Sequence, residues 1–274
     1  MDKGEPGNSW QSRYKSIKLH TARYTDHYPF LKFPTNWPVW ADQEHIVRWM
    51  RNYGEVMGLN IRARHSVVSV RDDDSTQRYS VDIESKDGAY TIHPKHVCLA
   101  TGPFGSPIRA TFPGQDSFKG QIIHTSDHRS AALMPDVRNK KITVIGSGTS
   151  AHDVAQDFVN HGAAAVTMVQ RNPVFVLSLD SLEKMIFSVW NIPGISTEDA
   201  DLLAKSIPTP VIRTLSIGET QMIAANDKAL LDGLEKAGMA VKRGTDGISL
   251  ADYQVLSLAI PADMVVVTVA RDVF

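Results

Sequence analysis

Residues 140–171 read KKITVIGSGTSAHDVAQDFVNHGAAAVTMVQR, and the order of side chains in this stretch decides the fold. The apolar run Ile142 to Ile145, bounded by lysines on one side and glycine on the other, predicts a buried parallel strand. Gly146, Ser147, Gly148, Thr149, Ser150 and Ala151 follow as a G-x-G-x-x-A turn. Ala151, Val154, Ala155, Phe158 and Val159 then recur at helical spacing, and Gly162 supplies a residue suited to the left-handed helix stop. Ala165 to Val169 reads as a second strand.

Strand, turn, helix, helix stop and strand in this order make the first βαβ unit of a dinucleotide-binding fold. Each small residue has a steric reason to be there. Gly146 permits the tight turn, Gly148 lets main chain approach a pyrophosphate, and Ala151 lets helix and strand pack closely. The first amides of the helix then face the anion. The tip of the second strand carries Gln170 and Arg171 where an NAD site would carry an acidic residue for the ribose hydroxyls, so NADP is the favoured ligand.

The chain around this unit has 274 residues, 42 % of them hydrophobic, enough for one large core or two smaller ones. With 29 basic and 30 acidic residues no global field draws it to nucleic acid or an anionic bilayer, and small-molecule chemistry is expected. Cys98 is the one cysteine; it lies in the apolar run HVCLATG and is expected to be a buried core thiol in a reducing compartment. The polar start, MDKGEPGNSW, and strand-sized apolar runs predict a soluble, cytoplasmic protein without a membrane segment. No metal site is expected, because histidines and cysteine never gather at ligand spacing. Nor is GSGTSA the G-x-S-x-G elbow of a hydrolase, since Ser147 and Ser150 fall one and four residues after Gly146.

Before the glycine turn, the stretch up to residue 40 is rich in rigid aromatics: Trp10, Trp37, Trp40, Tyr14, Tyr24 and Tyr28. They suit either the wall of a site for a planar ligand or the cover of a core. A helix is expected over Asp42 to Tyr53, strands over Leu59 to Val70 and Tyr79 to Ile83, a hairpin turn at Asp87-Gly88, and a buried strand over Val97 to Ala100. Val174 to Met239 is helical in tone, a cover for the nucleotide domain.

Taken together, these segments resemble the flavin-containing monooxygenases, most closely a fungal and plant branch that includes YUCCA-type enzymes. NSWQSRYKSIKLHTARYTDHYPFLKFPTNWPVW is similar to that branch's tract after the second strand of its FAD domain, and VCLATGPFGSP to its A-T-G strand and exit. Phe118 to His128, FKGQIIHTSDH, resembles the family motif F-x-G-x-x-x-H-x-x-x-(Y/F), and GSGTSAHDVAQD its NADPH loop. The resemblance implies an α/β architecture of two dinucleotide-binding domains, with a partial FAD-binding domain over 1–117, a Rossmann-like NADP domain with a helical insertion over 118–262, and a returning FAD-domain strand over 263–274. It implies FAD and NADP as cofactors and an N,N-dimethylaniline monooxygenase-like activity, in which NADPH reduces the flavin, the reduced flavin takes up dioxygen as a hydroperoxide, and one oxygen passes to a small organic substrate.

By the same resemblance Asp2 is the carboxylate for the FAD ribose, Trp10 and Arg13 stand beside the flavin and its phosphates, Val67 makes the backbone contact to adenine, and Thr101 and Gly102 form the turn that approaches the cofactor. His20 and His124 are the implied catalytic residues, the first where animal-type members place an asparagine facing the oxygenated flavin, the second in the family motif. The chain departs from the family in four places. It has no first glycine loop for the FAD pyrophosphate, which is the look of a truncated member; DYQ passes directly to VLSLAIPADMVVV; Val269, Ala270 and Arg271 stand where a glycine turn is expected; and His128 replaces the terminal aromatic of the motif. Two other readings compete: a non-catalytic NADP-binding remnant, and a flavin-dependent reductase without oxygen insertion. A disulfide reductase would need a cysteine pair, and Baeyer–Villiger enzymes end the motif with tryptophan.

Overall fold

The computed structural model describes residues 1–102, 105–170, 174–239, 241–243 and the backbone of 255–258. It is a mixed α/β structure whose contacts divide it into two compact units, one made of 1–13 and 43–126, the other of 14–42 and 127–274.

In the first unit a short helix, α1 (Asn8–Gln11), precedes α2 (Gln43–Val56), which buries Ile46, Val47 and Trp49, while Met50 and Tyr53, expected on the apolar face with the first two, are half-buried. The Gln43 side-chain amide ties the two together, donating to the carbonyls of Trp10 (2.8 Å) and Arg13 (2.9 Å). An antiparallel ribbon follows: β1 (His65–Asp73), β2 (Arg78–Ser85) and β3 (Gly88–Ile92), in that order. Ser85 pairs with Gly88 across the β2–β3 turn, where Gly88 takes a φ of 118° that a side chain would resist. β1 begins later than the sequence predicts, because Arg64 adopts a φ of 59° and interrupts the extended run.

The strand expected over Val97 to Ala100 does not form, and Leu99 is 78 % exposed. A buried strand needs ladder partners for its amides and carbonyls, and no described strand pairs with this segment. Cys98 is accordingly exposed, not a core thiol.

In the second unit, β4 (Lys141–Ile145) and β5 (Ala165–Val169) pair in parallel, with Ile142 opposite Val166 and Val144 opposite Met168. Between them runs α3 (Thr149–Asn160), ended by Gly162 at φ 77°. Its apolar stripe, Ala151, Val154, Ala155 and Phe158, packs against Val144, Val166 and Met168, and Tyr14 and Ala131 close the same cluster. β4 is less buried than predicted, with only Val144 inaccessible and Ile145 57 % exposed. A parallel strand is sealed on both faces only where helices lie on both, and among the described residues α3 covers one.

The segment after β5 opens with a strand, not a helix: β6 (Phe175–Ser178) pairs in parallel with β7 (Val255–Leu258). Between them lie α4 (Leu179–Ser181), which continues as a π-turn over Leu182–Ile186, then α5 (Thr197–Ser206), α6 (Thr209–Asn226) and α7 (Lys228–Lys236). The buried Asp227 carboxylate fixes the start of this region by accepting from the Ser178 amide (2.7 Å), the Ser178 hydroxyl (2.6 Å) and the Ser181 hydroxyl (2.7 Å). A second core gathers Ala22, Leu177, Leu182, Phe187 and Ile223, with Tyr24, Trp40 and Trp190 packed on it. Much of the aromatic stretch therefore serves the packing of the second unit.

Truncating Phe158, 2 % exposed, to alanine is expected to cost about 3–5 kcal/mol, and Leu202→Ala, at a 74 % exposed position, less than about 0.5 kcal/mol, in urea unfolding. Comparable losses at both positions would mean that α3 does not carry the core.

Candidate functional site

β4 ends at Ile145, and the chain turns at Gly146, whose φ is 114° and whose amide still bonds to the Val169 carbonyl of β5 at 2.9 Å. Gly148 is the N-cap of α3 with extended backbone (φ −74°, ψ 174°), so glycine is not required there by its torsions. A β-carbon built on Gly148 meets no atom of the protein within 4 Å. The Ala151 and His152 amides bond back to the Gly148 carbonyl, at 2.9 and 3.2 Å, and no side chain caps the helix. The earlier amides of the turn have no intrahelical acceptor, which leaves a small open cradle of donors at the positive end of a 12-residue helix. These features fit the pyrophosphate of a dinucleotide. Ala151, 8 % exposed, packs into the core as the third small position of the turn. Arg171 lies outside the described residues.

His20 belongs to the second unit, as do Gly146 to Ala151. Its Nε2 stands 3.5 Å from Oδ1 of Asp153 on α3, while Oδ2 of the same carboxylate accepts the Tyr14 hydroxyl at 2.8 Å. Beside them His152 is 4 % exposed, and Nε2 of its ring has no hydrogen-bond partner among the described residues. Burial pushes its pKa down to about 4 against the opposing pull of Asp153, so the ring is neutral at ordinary pH.

His128, which departs from the family motif, fills an aromatic position and adds a polar contact. Its ring lies against Phe158 with centroids 5.0 Å apart, and its Nε2 meets Asp157 Oδ2 at 2.8 Å, both residues being buried. Asp157 also accepts the Ala131 amide at 2.7 Å, and His161 Nδ1 lies 3.2 Å from its other oxygen. Burial alone would raise the Asp157 pKa; the bonds from His128 and Ala131 and the charges of the two histidines outweigh it and hold the carboxyl below its ordinary value.

The remaining expected residues lie in the first unit. Asp2 pairs with Ala63, its amide bonded to the Arg62 carbonyl (3.2 Å) and its own carbonyl to the His65 amide (3.0 Å), at the entry to β1. Its exposed carboxylate accepts the Gly4 amide at 2.7 Å. Val67 sits at an irregularity in the β1–β2 register and is 45 % exposed. Trp10 and Arg13 are held through their carbonyls by Gln43, a residue the sequence reading did not single out. Thr101 and Gly102 are exposed, with Gly102 in the left-handed region at φ 69°. His124 Nδ1 lies 2.8 Å from the Ser126 hydroxyl and 3.2 Å from the Ser126 amide. The amide can only donate, so Nδ1 accepts and the neutral ring carries its proton on Nε2. His152, Asp153 and Asp157 were also not singled out in the sequence. Their signal is an alternation of His and Asp along α3, HDVAQD, on a helix whose apolar stripe is otherwise uninterrupted.

Comparison with known proteins agrees with this geometry. Residues 1–185 match the pyridine nucleotide-disulphide oxidoreductase family, and the chain belongs to it. The relatives it is similar to are named as monooxygenases. It is 28 % identical over 181 residues to the probable indole-3-pyruvate monooxygenase YUCCA4 of Arabidopsis thaliana, an alignment that takes in 66 % of this chain and 42 % of the relative. It is 30 % identical over 178 residues to the FAD-containing monooxygenase EthA of Mycolicibacterium smegmatis, over 63 % of this chain and 35 % of the relative. The chain thus spans about two fifths of the length of the relatives it matches. A cyclohexanone monooxygenase bound to epsilon-caprolactone shares the fold over 98 % of this chain and 60 % of its own, at a TM-score of 0.65 and 15 % identity. The bacillithiol disulfide reductase Bdr of Bacillus cereus shares it at 0.54 and 19 %, over 62 % of this chain and 50 % of its own. Among the described residues no helix is long and apolar enough to cross a membrane.

The Asp157 carboxyl makes acid stability a test of this arrangement. A group whose pKa is lower folded than unfolded adds stability above its unfolded value, about 3.9 for aspartate, and that contribution disappears as pH falls through the folded value. The unfolding free energy should therefore drop more steeply below about pH 4 for the wild-type chain than for Asp157→Asn. Parallel pH profiles would remove the carboxylate from the account.

Proposed function

We propose that this chain is part of an NADPH- and FAD-dependent monooxygenase that inserts one atom of dioxygen into a small organic substrate. The observation that carries the reading is the uncapped, open glycine turn of α3, in a chain of the pyridine nucleotide-disulphide oxidoreductase family whose relatives include an indole-3-pyruvate monooxygenase and an FAD-containing monooxygenase. Fold does not separate oxygenases from reductases, as the two solved neighbours make plain. One feature favours the oxygenase: the F-x-G-x-x-x-H core at Phe118 to His124. A non-catalytic NADP-binding chain is the second reading, because the open turn of α3 accounts for nucleotide binding without any catalytic group.

In this reading residues 118–262 bind NADP and 1–117 supply part of the FAD site, completed by 263–274. The dinucleotide phosphates bind the amides that open α3 at Gly148, Thr149 and Ser150, where room and positive potential coincide. Arg171 takes the 2′-phosphate. Asp2 holds the FAD ribose through its carboxylate, Val67 meets the adenine edge with its backbone, and Trp10, Arg13, Thr101 and Gly102 line the flavin. When bound, the flavin supplies the oxygen-activating chemistry, which no side chain here can perform. The chain's own work is to hold the rings, exclude water and place donors. His124, with its proton on Nε2, is proposed as a catalytic donor, and His20 as a catalytic group that meets its ligand through Nδ1. The protein acts in the cytoplasm, without nucleic acid or membrane partners.

Two binding measurements separate function from packing. Gly148→Ala meets no protein atom, so its unfolding midpoint should stay at the wild-type value while NADPH affinity drops roughly tenfold or more, the methyl occupying the space meant for phosphate. Unchanged affinity would reject the turn as the anion site. Arg171→Ala should weaken NADPH far more than NADH in the same titration, by roughly 1.5–3 kcal/mol if it makes a charge-assisted pair with the phosphate. Equal losses for the two nucleotides would reject that role.

A further inference from the structure

The two oxygens of Asp153 are divided between the ends of one short segment. Oδ2 takes the Tyr14 hydroxyl at 2.8 Å, and Oδ1 faces His20 Nε2 at 3.5 Å. Tyr14 is 3 % exposed and part of the core beneath α3, so its hydroxyl is a rigid anchor for the carboxylate. His20 keeps 26 % of its side chain open, which leaves the ring reachable by a ligand. The backbone between and beyond them is also held: the Lys15 amide bonds to the Arg129 carbonyl (2.8 Å), the Leu19 amide to the Ala41 carbonyl (2.8 Å), and Lys18 forms an antiparallel bridge with Asp42. His152, the next residue along α3, is kept neutral by burial and brings no competing cation to the carboxylate.

We propose that Asp153 is a positioning residue for His20. By holding Nε2 it fixes the ring orientation and the tautomer, with the proton on Nε2, and so turns Nδ1 towards the ligand. Tyr14 sets the carboxylate rotamer, and the 14–20 segment is thereby pinned to the helix that opens at the glycine turn. The separation of 3.5 Å lies at the long limit of a hydrogen bond, and shortening on ligand binding is the expected change. The catalytic consequence rests on the monooxygenase reading; the positioning itself does not.

The test uses the whole 274-residue chain labelled with nitrogen-15, its His20 ring signals assigned by loss in His20→Gln. Asp153→Asn should move the His20 Nδ1 and Nε2 shifts towards one another, as the tautomer preference is lost. Tyr14→Phe, which removes one hydroxyl and keeps the core ring, should move them the same way by a smaller amount and carries the test if the asparagine variant does not fold. Ring signals that coincide with wild type in the folded variant would overturn the proposal. With FAD and NADPH supplied, kcat for NADPH oxidation should fall roughly tenfold in Asp153→Asn while KM for NADPH stays within about twofold; shifted signals with unchanged kcat would overturn the catalytic half. Should the signals shift while the wild-type chain oxidises no NADPH, it is the monooxygenase reading that fails, and Asp153 retains its positioning role.

Discussion

The burial of one stripe of α3 on the β4–β5 pair is the constraint from which the rest of the second unit follows. Ala151, Val154, Ala155 and Phe158 can reach Val144, Val166 and Met168 only if the chain reverses tightly after β4. Gly146 makes that reversal with a torsion that costs a side chain about 1–2 kcal/mol, and Gly148 delivers the helix with its first amides uncapped. Packing accounts for the small residue at Ala151 and the torsion for the one at Gly146, while the space at Gly148 is left to the proposed phosphate site. Ala151 is small because the core is close, and Gly148 is small although no protein atom is near.

Once α3 is fixed, its polar residues become anchors for chain that is distant in sequence. Asp157 takes His128 and the Ala131 amide, and Asp153 takes Tyr14 and His20. Both carboxylates sit on the flank of the buried stripe, where a bare charge would be costly and a hydrogen-bonded one is not. The final position of the family motif shows how this works. A histidine serves in place of an aromatic because it offers a ring to Phe158 and a nitrogen to Asp157 in one side chain. The motif itself crosses from one compact unit to the other between Ser126 and Asp127, so His124 and His128 answer to different surroundings.

Some of this was legible without coordinates. The βαβ unit was read with its boundaries nearly right, because alternating demands of strand, turn and helix leave a strong local pattern: glycine at two fixed positions, an apolar stripe at helical spacing, and glycine again at the stop. The existence of α2 and the β2–β3 turn were read for the same reason, although α2 buries Trp49 where Met50 and Tyr53 were expected. The segment Val97 to Ala100 failed because an apolar run states only a preference for burial, and whether neighbours exist to provide it is a tertiary matter. FVLS, within a stretch of helical character, became a strand by pairing with residues far along the chain. Register with a distant partner leaves no local trace.

The sequence by itself determined the dinucleotide-binding class, the glycine turn and the family, since these depend on the torsions and sizes of adjacent residues. Tertiary structure alone decided that His20 meets Asp153, that His128 is buried on Asp157, and that Trp40 joins a core with Phe187. Each of these contacts joins side chains more than twenty positions apart, and the energy of a buried hydrogen bond or a packed ring exists only after the backbone has brought both partners out of water together.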